Sequence, residues 1–185
     1  MTTAKLKNTF FTIGHSTRSV EEIVELMNEA EANMIADVRT IPRSRTNPQF
    51  NQEGFPESLA KEGIGYQYFK KLGGLRGKKK GDEPSSNGFW QNKSFRNYAD
   101  YTATPEFHEG LKELLEAGKT HTCAIMCAEA VWWRCHRRII ADYLITYGMK
   151  VFHIMASGKI EPATLNPAAI KSDGGTLVYK AESNL

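Results

Sequence analysis

Residues 125–138, IMCAEAVWWRCHRR, crowd Cys127, Glu129, Cys135, His136 and the arginines Arg134, Arg137 and Arg138 into one short run. A thiol beside arginines and near a helix start is held as a thiolate, the nucleophilic form. Cys127 is the candidate for that role, since it closes an apolar run and precedes a polar turn. A phosphate-cradling cysteine loop needs its arginine one residue nearer the cysteine: here six residues separate Cys127 from Arg134. That particular cradle is therefore not expected. Cys127, Cys135 and His136 are also metal-ligand types, but they lack the closely spaced cysteine pair of structural zinc sites. No metal site is assigned, and a metal-binding protein stays as an alternative. Cys135 reads as a small buried hydrophobe, and Cys123 as a core residue in mid-strand.

Other polar residues fall where apolar runs end. His15 and Ser16 follow TFFTI (9–13), and Asp37 and Arg39 close MIADV (34–38). His15 and His136 are candidate proton carriers near neutral pH. Glu129 reads either as a general acid/base or as the partner of an arginine. Asp37, flanked by Ile35, Ala36 and Val38, reads as buried and paired. Ser16, Ser44, Arg39 and Arg137 are candidate anion contacts, helped by helix N-termini. Lys78, Lys79 and Lys80, with Phe89, Trp90, Phe95, Tyr98 and Tyr101 after them, offer cations and rings that could stack on bases. The competing reading packs Phe95 and Tyr98 against the core, with Trp90 under the loop.

These residues need a scaffold that gathers them. Short apolar runs at 9–13, 34–38, 65–69, 121–127 and 150–155 read as five strands. TLVYK, near the C-terminus, reads as an edge strand. Ser19 with Glu22 forms a capping box for a helix burying Val20, Ile23, Val24 and Met27. Further helices are expected over 56–62, near 94–100, from Thr104 with Pro105 first, and from Trp132 to Tyr147. Residues 71–94, rich in Gly, Lys, Ser and Pro, read as a long loop. Strands alternating with helices predict an α/β fold: a mostly parallel, Rossmann-like sheet of about five strands with helices on both faces. Residues 1–185 are read as one domain. In such a sheet the C-terminal strand ends form one rim, where ligands bind.

The whole chain has 185 residues, 41% hydrophobic and 24% charged, with a net charge of +3. That composition supports a packed core rather than disorder, and the charge is too mild to imply nucleic acid by itself. No run reaches membrane-span length, so no membrane partner is expected. MTTAKLKNTFFTIGHS does not read as a secretory signal. Three cysteines, an odd number, point to reduced thiols in the cytoplasm.

Several motifs together resemble the domain-of-unknown-function 488 family. They are IGHS (13–16), DVR (37–39), PRS (42–44) with Phe50 following, LGG (72–74), FRNYADY (95–101), and above all MCAE (126–129) with CHR (135–137). The resemblance spans roughly residues 10–155. The family often carries a proline between the last two motifs, where this chain has Ala130, Val131, Trp132 and Trp133. The resemblance implies an α/β domain and no particular activity, and names no cofactor. From the residues, the leading expectation is a hydrolase or transferase acting on an anionic small molecule, phosphate-bearing or nucleotide-like. In it Cys127 is the nucleophile or an essential polar contact, His15 or His136 handles protons, Glu129 and Asp37 orient partners, and Arg39 and Arg137 hold the anion. A non-catalytic nucleotide or nucleic-acid binding module is the second expectation.

Overall fold

The run Thr9–Gly14, TFFTIG, forms strand β1 and is buried throughout. The computed structural model describes residues 6–78, 81 and 83–183. Helix α1 (Val20–Glu29) starts with the expected capping box: Glu22 N–H donates to Ser19 Oγ at 3.1 Å, and Ser19 N–H to Glu22 Oε2 at 2.9 Å. Strand β2 (Met34–Asp37), helix α2 (Phe55–Lys61) and strand β3 (Gly65–Tyr68) follow. Helix α3 (Lys93–Tyr101) is capped by Asn92, and α4 (Pro105–Thr120) by Thr104. Then come β4 (Cys123–Cys127), α5 (Arg137–Thr146), β5 (Lys150–Ala156) and β6 (Lys159–Pro162).

These six strands form one sheet in the order β3-β2-β4-β1-β5-β6. All neighbours are parallel except β5 and β6. The expected α/β architecture with a mainly parallel sheet is present. Three details differ. The sheet has six strands rather than five, because the chain turns at Gly158 and adds β6 as an antiparallel edge. The strand near the C-terminus, β8 (Leu177–Tyr179), pairs with β7 (Ala169–Lys171) in a separate ribbon, not with the main sheet. The helix expected from Trp132 begins only at Arg137: Trp132–Arg134 form a 3-10 turn, and Cys135 is extended with φ −131° and ψ 146°.

Topology places a crevice over β4. Helices α1 and α2 pack on one face of the sheet, with Ile23, Met27, Phe55 and Leu59 against Ile13, Ile35 and Met126. Helices α3, α4 and α5 pack on the other, with Tyr98, Phe107, Ile139 and Tyr143 against Phe10, Ala36 and Ile125. The chain therefore leaves β1 and β2 toward one face and leaves β4, which lies between them, toward the other. Adjacent parallel strands with connections on opposite faces open a crevice at their C-terminal ends. Register brings Gly14 opposite Cys127 and Asp37 opposite Met126. Among the described residues, no helix is long and apolar enough to cross a membrane.

Candidate functional site

Cys127 terminates β4 at the floor of this crevice. It is 4% exposed and lines a cavity of about 510 Å³. Arg137, the first residue of α5, is 1% exposed and reaches back under it. Its Nη1 donates to Cys127 Sγ at 2.7 Å and to the Glu129 carbonyl at 2.7 Å, while Nη2 donates to the Ala130 carbonyl at 3.2 Å. No carboxylate pairs with Arg137 among the described residues. A buried guanidinium without a counter-ion is costly, which favours the ionised form of the sulfur beside it. Burial opposes ionisation of Cys127, but the neighbouring Cys135, the Arg137 charge and a backbone bond at Glu129 outweigh it. The thiol is lowered to about 7. Burial, together with the adjacent Cys127 sulfur, holds Cys135 well above the usual thiol range. In its protonated form Cys127 has only a weak acceptor, the Glu129 carbonyl at 3.8 Å.

His15 and Arg39 stand just past the ends of β1 and β2, the two strands flanking β4. The Nδ1 of His15 lies 2.9 Å from the Ser16 carbonyl, so it carries the proton, and Nε2 presents its lone pair toward Arg39 Nη1 at 3.4 Å. Burial is the main reason its pKa is lowered, leaving a neutral imidazole stacked on Phe50 at 4.4 Å. Arg39 is clamped by Asp37: Nε to Oδ1 at 2.9 Å and Nη2 to Oδ2 at 2.7 Å, with the Phe50 carbonyl accepting from Nη2 at 2.7 Å. Tyr66 donates to Asp37 Oδ2 at 2.5 Å. Asp37 is fully buried, its oxygens taken by these donors and the Arg39 backbone N–H. It aims Arg39 and does not itself face the cavity.

His136 is fixed by its own contacts. Nε2 lies 3.0 Å from the Val38 carbonyl and donates to it, and Nδ1 is 3.5 Å from Cys135 Sγ. Burial drops its pKa to about 4, so the ring is neutral and locked. The approach of the long loop to this ring requires glycine: a Cβ at Gly74 would lie 2.4 Å from Nδ1. Gly14 is equally constrained, because a Cβ there would lie 1.9 Å from the Glu129 carbonyl oxygen.

The cavity unites most of the expected residues. His15, Arg39, Ser44, Cys127, Glu129 and His136 line it, joined by Cys135 and Arg134. Glu129 is exposed at the mouth, its Oε1 accepting from the Ala130 N–H at 3.1 Å. Arg134 is exposed and has no ion-pair partner among the described residues. Ser44 hydroxyl accepts from the Asn47 N–H at 3.1 Å. Ser16 lies outside the lining: its φ of 47° and its N–H bond to the Ala128 carbonyl at 3.0 Å make it a turn residue. Arg137 lies beneath the floor, engaged by sulfur and backbone. The long loop does reach the rim, through Gly74, Leu75 and Asn92 to Phe95. Lys78 is exposed away from the lining, while Lys79 and Lys80 lie outside the described residues. Trp90 and Tyr98 are buried, as the packing reading expected. Trp90 instead packs on Phe95 and Tyr179 and faces the Arg138 guanidinium at 4.7 Å. No group of three or more His, Cys, Asp or Glu among the described residues is placed to hold a metal ion.

The residues that sequence reasoning missed act through others. Phe50 sits in a short 3-10 turn after a proline, and Tyr66 in a strand read only as core. Trp132 stacks on His153 at 4.4 Å, nearly parallel, and His153 Nδ1 lies 2.7 Å from Thr12 Oγ1. In the sequence, His153 and Ser157 stand near the end of the fifth apolar run as the other polar rim residues do, and Thr12 stands polar inside the first.

Residues 19–144 match the family described as Domain of unknown function DUF488. No curated protein and no solved structure matches the chain.

Proposed function

The chain belongs to the DUF488 family, and from that premise we propose that it is a hydrolase or transferase acting on an anionic, phosphate-bearing or nucleotide-like small molecule at the C-terminal rim of the sheet. The observation that carries this reading is the contact of Cys127 with a buried, otherwise uncompensated Arg137 at the floor of an open cavity. Such a pairing keeps a thiolate ready at neutral pH.

Cys127 Sγ attacks an electrophilic centre of the substrate and forms a covalent bond to sulfur; the bond to the leaving group breaks, and the leaving group departs as an anion that takes a proton from solvent. Water, or an acceptor in the transferase case, then attacks the intermediate and frees the thiolate. His15 Nε2, neutral and bearing its lone pair, takes the proton of that second nucleophile. Arg39 Nη1 and Arg134 receive the substrate's negative charge, with Ser44 and Glu129 at the mouth. Arg137 compensates the thiolate, Asp37 holds Arg39 in place, and His136 ties the β4–α5 connection to β2. No phosphate cradle follows Cys127, so Arg39 and Arg134 hold the substrate's charge whether the electrophile is phosphorus or an acyl carbon. A reactive thiol suits a reducing compartment, so we place the protein in the cytoplasm.

The test uses 4-nitrophenyl phosphate and the 4-nitrophenyl monoester of succinic acid as electrophilic reporters. The expected result is a nitrophenolate burst matching the enzyme concentration with at least one of them, and none in Cys127→Ser. Equal turnover by Cys127→Ser, or no adduct on Cys127 with either reporter, would overturn the reading.

A further inference from the structure

The cavity floor holds a second sulfur that the reaction above does not use. Cys135 is 5% exposed and lines the same cavity as Cys127. One residue touches both sulfurs: Arg137 Nη1 is 2.7 Å from Cys127 Sγ, and the Arg137 backbone N is 3.4 Å from Cys135 Sγ. The Cys135 thiol lies 3.5 Å from His136 Nδ1, and its sulfur also accepts from the Arg137 N–H, so it is held at the cavity floor beside Cys127. Cys135 also occupies an extended hinge between the 3-10 turn Trp132–Arg134 and the first turn of α5. Because Cys135 lies outside a helix, a shift of its sulfur toward the ~2.05 Å of a disulfide does not require unwinding one. Cys123, the remaining thiol, is fully buried at the opposite end of β4.

We propose that Cys127 and Cys135 form a hydroperoxide-reactive dithiol, in which Cys127 meets the peroxide and Cys135 closes a disulfide. The Cys127 thiolate attacks the terminal peroxide oxygen. An S–O bond forms, the O–O bond breaks, and the departing alkoxide or hydroxide takes a proton from solvent. Cys127 is thereby oxidised to the sulfenic acid. The Cys135 sulfur then attacks Cys127, an S–S bond forms, the S–O bond breaks, and the leaving hydroxide takes the Cys135 proton as water. In sum, two thiols and one hydroperoxide give a disulfide, an alcohol or water, and water. Oxidation removes the negative sulfur from beside Arg137 and leaves the guanidinium with only the Glu129 and Ala130 carbonyls. The lost pairing favours the reduced pair, so a small-molecule thiol restores it readily. The proposal rests on Cys127 being a thiolate nucleophile.

The test treats the full chain with equimolar hydrogen peroxide, alkylates it in denaturant and digests it with trypsin. Cleavage after Arg134 and Arg137 separates Cys135–His136–Arg137 from the peptide bearing Cys123 and Cys127. The expected product has lost two of its three thiols. Its Cys127 and Cys135 peptides are joined, dithiothreitol separates them, and Cys123 carries the alkyl group. Cys127→Ser keeps both remaining thiols, and Cys135→Ala stops at a Cys127 sulfenic acid that dimedone traps. A wild-type chain whose Cys127 takes up dimedone or reaches the sulfinic acid while Cys135 alkylates freely would refute the dithiol and leave the nucleophile standing. A Cys127 inert to both peroxide and iodoacetamide would sink the dithiol and the proposed function together.

Discussion

Replacing Arg137 tests the electrostatics of the site most directly. The guanidinium sits 2.7 Å from Cys127 Sγ, is 1% exposed, and has no carboxylate to share its charge among the described residues. An opposite charge this close, poorly screened, typically moves an acid's pKa by about 1–3 pH units. Arg137→Met, similar in volume and uncharged, therefore raises Cys127 from about 7 to about 8–10. Thiolate at pH 7 falls from about half to between roughly 10% and 0.1%. The more basic thiolate is intrinsically more nucleophilic, with a Brønsted coefficient of about 0.4–0.5. The net loss in alkylation rate at pH 7 is therefore only about 2- to 20-fold. The midpoint is the decisive quantity. Iodoacetamide modification of Cys127, followed by peptide mass spectrometry from pH 5 to 10, gives it for wild type, Arg137→Met and Arg137→Lys. Lysine retains the charge and is expected to fall between the other two. Cooperative urea unfolding of each variant shows that the fold persists. A wild-type midpoint near the ordinary ~8.5 of a free thiol, or an Arg137→Met midpoint still near 7 in a folded protein, would refute the counter-ion argument.

Two buried groups act in opposite directions in acid. His153 is 3% exposed, and its pKa is lowered to about 4, chiefly by burial and then by Arg137 and Arg138. The unfolded chain therefore binds the proton first, and stability is lost as pH falls from about 6.5 toward 4. From pH 7 to 4.5 this group costs about 2 kcal/mol. Asp142, also 3% exposed, is raised to about 6 by burial, despite its bonds to the Asn166 N–H and Tyr179 hydroxyl. Its contribution is full below about 4 and vanishes as pH rises through 6, a gain of about 2 kcal/mol over the same acidification. Urea denaturation at the two pH values should show His153→Gln losing less stability in acid than wild type, and Asp142→Asn losing more; the reverse order would contradict both assignments. Gly14→Ala must push a Cβ into the Glu129 carbonyl, to which Arg137 also donates. It should cost about 1–3 kcal/mol in urea unfolding and slow Cys127 alkylation, and an unchanged protein would show that the close approach is slack.

The elements themselves were legible because each rests on local physics. The alternation of apolar strands with capped helices, the Ser19–Glu22 box and Pro105 at a helix start need no long-range information, and neither does the placement of polar residues at the strand ends. The rim followed from those elements, and His15, Arg39, Cys127, Glu129 and His136 do line one cavity. Other features depended on pairings that sequence spacing does not encode. The edge strand β6 and the separate β7–β8 ribbon are such cases, and so is the insertion of β4 between β2 and β1, which puts Cys127 at the centre of the crevice. The start of α5 at Arg137 rather than Trp132 is another: Trp132, in a 3-10 turn, stacks on His153 of β5. The direction in which each charge faces was likewise decided by folding. A chain of arginines reads as a cationic rim, yet Asp37, Tyr66 and the Phe50 carbonyl fix Arg39, and Arg137 turns inward to meet a sulfur ten residues earlier in the chain. Local patterning thus set which segments are strand and helix and where polar groups gather. Only three-dimensional contact could choose which cation meets the thiol, because desolvation and partnership are properties of neighbours in space.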